Sequence, residues 1–151
     1  MNSYGLIDLH CDTLAEYWKY AHTGNPDTLD DPGRVLSLSN MPKDVHWAQF
    51  YAVFIPDEER GQAAIDYFEK NRANFYRQME KFGARVAPCR NADDMEKAWA
   101  AGKTAAFLTI ENGSALAGDL SRVHTLAEQG VRAITLTWNG ENELGSGHTT
   151  D

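Results

Sequence analysis

Apolar residues in this chain fall into blocks whose spacing changes from one to the next, and that change separates strands from helices. Tyr4 to His10 is a short apolar run whose far end turns polar, the pattern of a buried strand that carries side chains to a sheet edge. Leu14 and Trp18 recur four apart beside Tyr17 and Ala21, with Thr13 available as a cap, so residues 13–22 read as a helix. From Thr23 to Asp44 the chain is rich in Gly, Pro, Asn, Asp and Ser and reads as loop. Trp47 to Ile55 (WAQFYAVFI), closed by Pro56, reads as a second buried strand.

The stepping then becomes helical. Ile65, Phe68, Phe75, Met79 and Phe82 follow one helix face, interrupted by Arg72 and stopped at Gly83. Arg85 to Cys89 is a brief extended piece, after which Asn91 can cap a helix through Met95, Ala98 and Trp99 that Gly102 ends. Thr104 to Ile110 (TAAFLTI) is a third buried strand, again with a polar end at Glu111, Asn112 and Gly113. Leu116, Leu120, Val123 and Ala127 predict another helix, with Asp119 as a cap for its later part and Gly130 as its stop. Val131 to Trp138 (VRAITLTW) is a fourth strand, followed by loop to Asp151.

Strands alternating with helices predict an α/β fold built from βαβ units around a parallel sheet. Four such units are half of an eight-stranded (β/α) barrel, which takes about 250 residues. With 151 residues and a final stretch that ends within a loop, the chain is expected to be a single domain over 1–151, an incomplete TIM-type barrel truncated at its C-terminus. A small open α/β sheet is the alternative.

Composition narrows the partners. The net charge of −8 would repel both a phosphate backbone and an anionic bilayer, so neither nucleic acid nor a membrane surface is expected as a partner. No window is long and apolar enough for a spanning helix, and the first residues lack the features of a signal peptide, which makes the cytoplasm the default expectation. The two cysteines, Cys11 and Cys89, are too far apart for a CxxC site and read as small buried hydrophobes.

Candidate chemistry sits where strands end. In parallel α/β folds ligands bind beyond the carboxyl ends of the strands, and the first strand ends in Asp8-Leu9-His10-Cys11-Asp12. Residues two apart in an extended chain share a face, so His10 and Asp12 are expected to project together, an imidazole beside a carboxylate suited to a first-row divalent ion. Glu111 ends an otherwise apolar strand, where an unpaired carboxylate is costly to desolvate and a dication would compensate it. The bland readings are that Asp12 or Thr13 caps the next helix over a hydrogen-bonded His10, and that Glu111 faces solvent or caps a helix. Both readings stay open on these residues alone. His22, His46 and His124 read as solvated or structural, and His148 lies in the loop on the side of the site. A Cys11–His10 nucleophile pair is disfavoured because adjacent strand residues point to opposite faces.

The blocks IDLHCDTL, AQFYAVFIP, GKTAAFLTIENGSAL and LAEQGVRAITLTWNGENELGSG, in this order, resemble the membrane dipeptidase family (renal dipeptidase, peptidase family M19), a branch of the amidohydrolase-like TIM barrels. The resemblance implies a zinc dipeptidase. Two zinc ions would be held with a hydroxide between them, His10 and Asp12 on one ion and Glu111 bridging both as the catalytic hinge of the site. The substrate would be a dipeptide, often with a D-residue at its C-terminal position. Family members draw the second metal's histidines, a substrate-binding arginine and a proton-handling aspartate from later strands. The 151-residue chain alone is therefore expected to bind zinc weakly and to lack turnover. Where some members carry a substrate-contacting histidine this chain has Trp138, whose indole cannot act as acceptor or general acid. The alternatives are another metal-dependent amide or lactam hydrolase on the same barrel, and a metal-free structural or interaction domain. Oligomeric state is left open, with a homodimer as one option.

Overall fold

The computed structural model describes residues 4–14 and 28–150, so the helix expected over 13–22 and its His22 lie almost wholly outside the described residues. Five parallel strands form one sheet: β1 (Gly5–Cys11), β2 (His46–Phe54), β3 (Val86–Pro88), β4 (Thr104–Glu111) and β5 (Val131–Ile134). β2 runs along the whole of one edge of β4, from Ala48 beside Ala105 to Phe54 beside Glu111. The other edge of β4 is shared. Its first half pairs with the short β3 and its second half with β5. The extended piece at 85–89 is thus a fifth strand tucked beneath the last one, where the alternation of the sequence counts only four main strands.

Side-chain alternation along β2 and β4 divides the core into two layers. Tyr51, Val53 and Ile55, with Ala106, Leu108 and Ile110, pack against Ala64, Phe68, Phe75 and Met79 of α1 (Gln62–Lys81). Full burial of each large side chain there contributes about 1.5–3 kcal/mol. The opposite face carries Ala48, Phe50, Ala105 and Phe107, and its amino-terminal end is closed by α2 (Ala92–Ala100) through Met95, Ala98 and Trp99. Asn91 caps α2 as its position predicts, its side chain accepting from Asp94 N at 2.8 Å. The Trp99 indole donates to Trp47 O at 2.9 Å beneath the sheet. What remains open on this second face is its carboxyl-terminal end.

Several sequence expectations need correction. The stripe on α1 is mixed: Ile65 is only half-buried, whereas Asn71, Asn74 and Gln78 are buried. Hydrogen bonds explain their burial, since Gln78 accepts from Leu29 N at 2.8 Å and donates to Asn74 at 3.1 Å, while Asn74 donates to Leu14 O at 3.3 Å. The helix expected from Leu116 is broken. Gly113–Leu116 is a 3-10 turn, Ala117 and Gly118 take left-handed conformations at φ 50° and 74°, and only Arg122–Glu128 (α3) is helical. Its buried apolar residue is Leu126, and Leu120 is 68% exposed. β5 ends at Ile134 rather than Trp138, because the chain leaves the sheet once Thr135 N has bonded Ile110 O at 3.0 Å. The first strand, expected to be buried, is an edge strand paired only with β2 among the described residues, and Leu9 is 69% exposed.

Candidate metal centre

His10 reaches the open end of the inner face through a bulge. Asp8 pairs with Gln49 and Cys11 with Tyr51, so β1 advances three residues while β2 advances two. Leu9 and His10 therefore face the single residue Phe50, and the alternation is reset. Cys11 takes the face of Tyr51 and packs against the α1 layer, leaving His10 on the face of Phe50. The Asp8 carboxylate pins the irregularity by accepting from His10 N at 3.1 Å. Asp12 lies just past the strand, so the convergence of His10 and Asp12 arises from a bulge and a strand end, in place of the regular two-residue alternation expected.

Glu111 arrives from the other side of β2. It ends β4, pairs with Phe54, and inherits the inner face from Phe107 and Thr109 by alternation. His10 Nε2 stands 3.5 Å from Asp12 Oδ2 and 3.5 Å from Glu111 Oε2, and one donor atom of each residue lies within 4.8 Å of the other two. Among the described residues no other group of three or more His, Cys, Asp or Glu converges in this way. A separation of 3.5 Å is long for an N–H to oxygen hydrogen bond, which prefers about 2.7–3.2 Å. It is close to the edge of a coordination tetrahedron, about 3.3 Å when ligands sit about 2.0–2.1 Å from the ion.

The electrostatics agree with the spacing. Burial pushes the Glu111 carboxyl above its ordinary range, His10 pulls it back, and the Asp12 charge adds to the rise. Two carboxylates and one imidazole on a partly dry face form a donor set of nitrogen and oxygen that a first-row dication fits, and its charge would remove the cost of keeping Glu111 ionised. Beside the triad a cavity of about 560 Å³ is lined by Asp8, His10, Asp12 and Thr13 on one side and by Val35 and Leu36 on the other. Thr13 does not act on Asp12; its hydroxyl donates to Leu36 O at 2.6 Å. Cys11 and His10 take opposite faces of the sheet, which separates them as a nucleophile pair, and burial pushes the Cys11 thiol up to about 12.

Trp138 stands at the same end of the sheet, edge-on to Phe54 with ring centroids 4.7 Å apart, and is 40% exposed. Phe54 is the strand neighbour of Glu111, so the indole forms an aromatic wall one strand position from the triad. The remaining histidines stand apart. His46 lies at the amino-terminal end of β2 against Trp99, His124 is exposed on α3, and His148 is held near Trp138 through its backbone N–H, which donates to Trp138 O at 3.2 Å.

A second polar cluster lies directly behind Glu111 and escaped the sequence reading. Asn112, fully buried at φ 76°, donates to Ile55 O at 2.9 Å and to Asp57 Oδ1 at 3.2 Å. Its carbonyl oxygen accepts from Ser114 N and Oγ at 3.3 and 2.8 Å and from Asn142 Nδ2 at 2.8 Å. Asp57 Oδ2 accepts from Gly140 N at 2.7 Å, and Arg60 joins Ser114 Oγ to Glu141 O. A Cβ on Gly140 would stand 2.8 Å from the Asp57 carboxyl carbon, and one on Gly113 would stand 2.5 Å from Leu144. Gly113 of the ENG block and Gly140 of the NGENELG block were the available signal, since each marks a close approach whose partner a local reading cannot name.

Comparison with known proteins bears on the family and the fold. All of residues 1–151 match the family described as membrane dipeptidase (peptidase family M19). Among solved structures the chain is similar to dipeptidase AC, a metallopeptidase of family M19, at 19% identity and a TM-score of 0.76 over 93% of this chain and 45% of that one. It is equally similar to a metallopeptidase from Rhodobacter sphaeroides liganded with a phosphinate mimic of the dipeptide L-Ala-D-Ala, at 17% identity and a TM-score of 0.76 over 93% and 47% of the two chains. A probable dipeptidase, PvdM, from Pseudomonas aeruginosa gives 20% identity and a TM-score of 0.71 over 90% and 35%. The chain thus spans less than half the length of each of these structures. At such identities the likeness establishes the fold, a parallel α/β sheet that is part of a TIM-like barrel. Taken with the match along its whole length, this places the chain in the membrane dipeptidase family, peptidase family M19.

Proposed function

We infer that this chain supplies one side of a zinc-dependent dipeptidase site, with His10 and Asp12 on one ion and Glu111 bridging to a second. The supporting observation is the convergence of three donor atoms within 4.8 Å of one another, with His10 Nε2 3.5 Å from each of the two carboxylates, on the open end of the inner sheet face. When bound, such ions would polarise the scissile carbonyl and lower the pKa of water so that a nucleophile exists at neutral pH. The residues of this chain do the holding. Glu111 anchors the site from the centre of the sheet, His10 is fixed by the bulge, and Asp12 adds a second carboxylate at the rim. Trp138 and Phe54 flank the site as an apolar wall against which a substrate side chain can lie, and Trp138 carries no group that could accept a proton. A dipeptide, including one with a D-residue at its C-terminal position, is the substrate class this reading assigns. The 151-residue chain by itself is assigned weak zinc binding and no turnover.

Equilibrium dialysis against zinc, with metal analysis of the retained protein, tests the reading. Zinc should be retained by the wild-type chain and lost on Glu111→Gln, which keeps size and hydrogen-bonding capacity but removes the charge. Dipeptide hydrolysis, assayed on a longer, active polypeptide that contains residues 1–151, should vanish with the same substitution. Equal zinc retention by both proteins would leave a metal-free domain as the better description, with the triad as ordinary polar surface.

A further inference from the structure

We propose that Asn112 is a positioning residue for the metal centre, acting through the Asp57–Asn112–Asn142 cluster to hold the Glu111 carboxylate and the Trp138 wall in one arrangement. The inference rests on the metal reading of His10, Asp12 and Glu111 and extends it to residues that touch no ligand.

Glu111 is the last residue of β4, and its carbonyl is held by Ile55 N at 2.9 Å. The next residue must turn the chain sharply so that Glu111 stays on the inner face while the polypeptide leaves the sheet. Asn112 does so at φ 76°, ψ 106°, a conformation that side chains other than glycine rarely adopt and that persists only where the surroundings over-determine it. Here they do. The Asn112 side chain makes two hydrogen bonds as donor and three as acceptor, and its backbone N–H donates to Thr135 Oγ1 at 2.9 Å. An amide is required for this set. Ile55 O and Asp57 need a donor, and Ser114 and Asn142 need an acceptor, so neither Asp nor a hydroxyl could serve all of them.

These partners belong to three different loops: the one after β2 (Ile55, Asp57), the one after β4 (Ser114) and the one after β5 (Thr135, Asn142). One buried side chain therefore sets the spacing between the carboxyl ends of three neighbouring strands. The far loop is fixed twice more, by Gly140 N on Asp57 Oδ2 at 2.7 Å and by Asn142 Nδ2 on Leu136 O at 2.7 Å, on either side of Trp138. Glu111 itself has no hydrogen-bond donor on its carboxylate among the described residues, only His10 at 3.5 Å. Its direction is set from behind, by the turn that follows it.

Cobalt(II), used alone as a spectroscopic stand-in for zinc, provides the test on the 151-residue chain. Asn112→Gly accepts a positive φ but removes all five side-chain hydrogen bonds, and Asn142→Ala removes one end of the cluster without touching Glu111. Asn91→Ala, which removes the cap of α2 at the other end of the fold, is the control for a general loss of stability. Both cluster variants should bind cobalt about 10–100-fold more weakly, the range for lost outer-shell support, with an altered ligand-field absorption spectrum. Asn91→Ala should lower the melting temperature while leaving cobalt affinity and spectrum unchanged. The proposal is overturned if the cluster variants keep the wild-type spectrum and affinity, or if affinity in all three falls only in step with melting temperature. Should Asn112→Gly fail to fold, Asn142→Ala decides between these outcomes. A wild-type chain that gives no cobalt spectrum at all would instead remove the metal reading on which the proposal stands.

Discussion

Two polar clusters sit side by side at the carboxyl ends of the strands and are finished in opposite ways. Around Asn112 every hydrogen-bonding atom of the amide meets a protein partner, and the cluster is buried and closed. Around Glu111, His10 Nε2 stands 3.5 Å from the Asp12 carboxylate and 3.5 Å from the Glu111 carboxylate, too far for good hydrogen bonds, and satisfies neither fully. The first arrangement stabilises a fold. The second costs stability unless a further charge joins it, and proteins retain such cost mainly where function needs it. On the proposed metal reading, the Glu111 cluster is the working end of the molecule and the Asn112 cluster its support.

Substitutions can break that contrast. The largest expected effect is on ligand binding: Glu111→Gln should lower zinc affinity by more than the about 100-fold that outer-shell losses cause. It should leave the melting temperature of the metal-free chain no lower than wild type, because a neutral amide avoids the cost of a partly buried charge. Asn112→Ala should do the reverse to the fold, costing about 2–4 kcal/mol in urea denaturation by stranding partners on three loops. Next comes Gly140→Ala, whose methyl would press on the Asp57 carboxylate; about 1–3 kcal/mol is expected, read in the same assay.

The smallest effect lies far from both clusters. Burial works against the charge on Asp30, but the Ser39 hydroxyl and the Arg85 guanidinium outweigh it and hold the carboxyl below its ordinary value. A lowered carboxyl contributes stability above the unfolded pKa and loses it as pH falls through the folded one. Asp30→Asn should therefore cost at most about 1 kcal/mol at neutral pH, as exposed ion pairs do. The gap from wild type should close as the solution is acidified below about pH 4, the ordinary aspartate range.

The same contrast explains what could be read from the chain alone. β2 and β4 were legible because burial on both faces writes an unbroken apolar run, as in WAQFYAVFI and TAAFLTI. The edge position of β1 was not, since GLIDLHC also opens on an apolar run and only its neighbours in the sheet reveal the edge. TLTW continues the strand pattern of VRAI, so nothing local announces that the chain leaves the sheet at Thr135. The Leu116 helix failed at Ala117 and Gly118, where the glycine was visible but a left-handed alanine was not. His10, Asp12 and Glu111 stood out because acids and imidazole at the ends of apolar strands are chemically unusual. Asn112, Asp57 and Asn142 did not, since asparagine and aspartate in loops are common and only their partners, 30 to 57 residues away in sequence, give them meaning.

X-ray absorption at the zinc edge, on the chain loaded with one equivalent of metal, reports the donor atoms around the ion themselves. A shell of nitrogen and oxygen at about 2.0–2.2 Å, with an imidazole signature that disappears in His10→Ala, is the expected result. A sulfur neighbour at about 2.3 Å, or an imidazole signal that survives His10→Ala, would place the metal elsewhere and contradict the account.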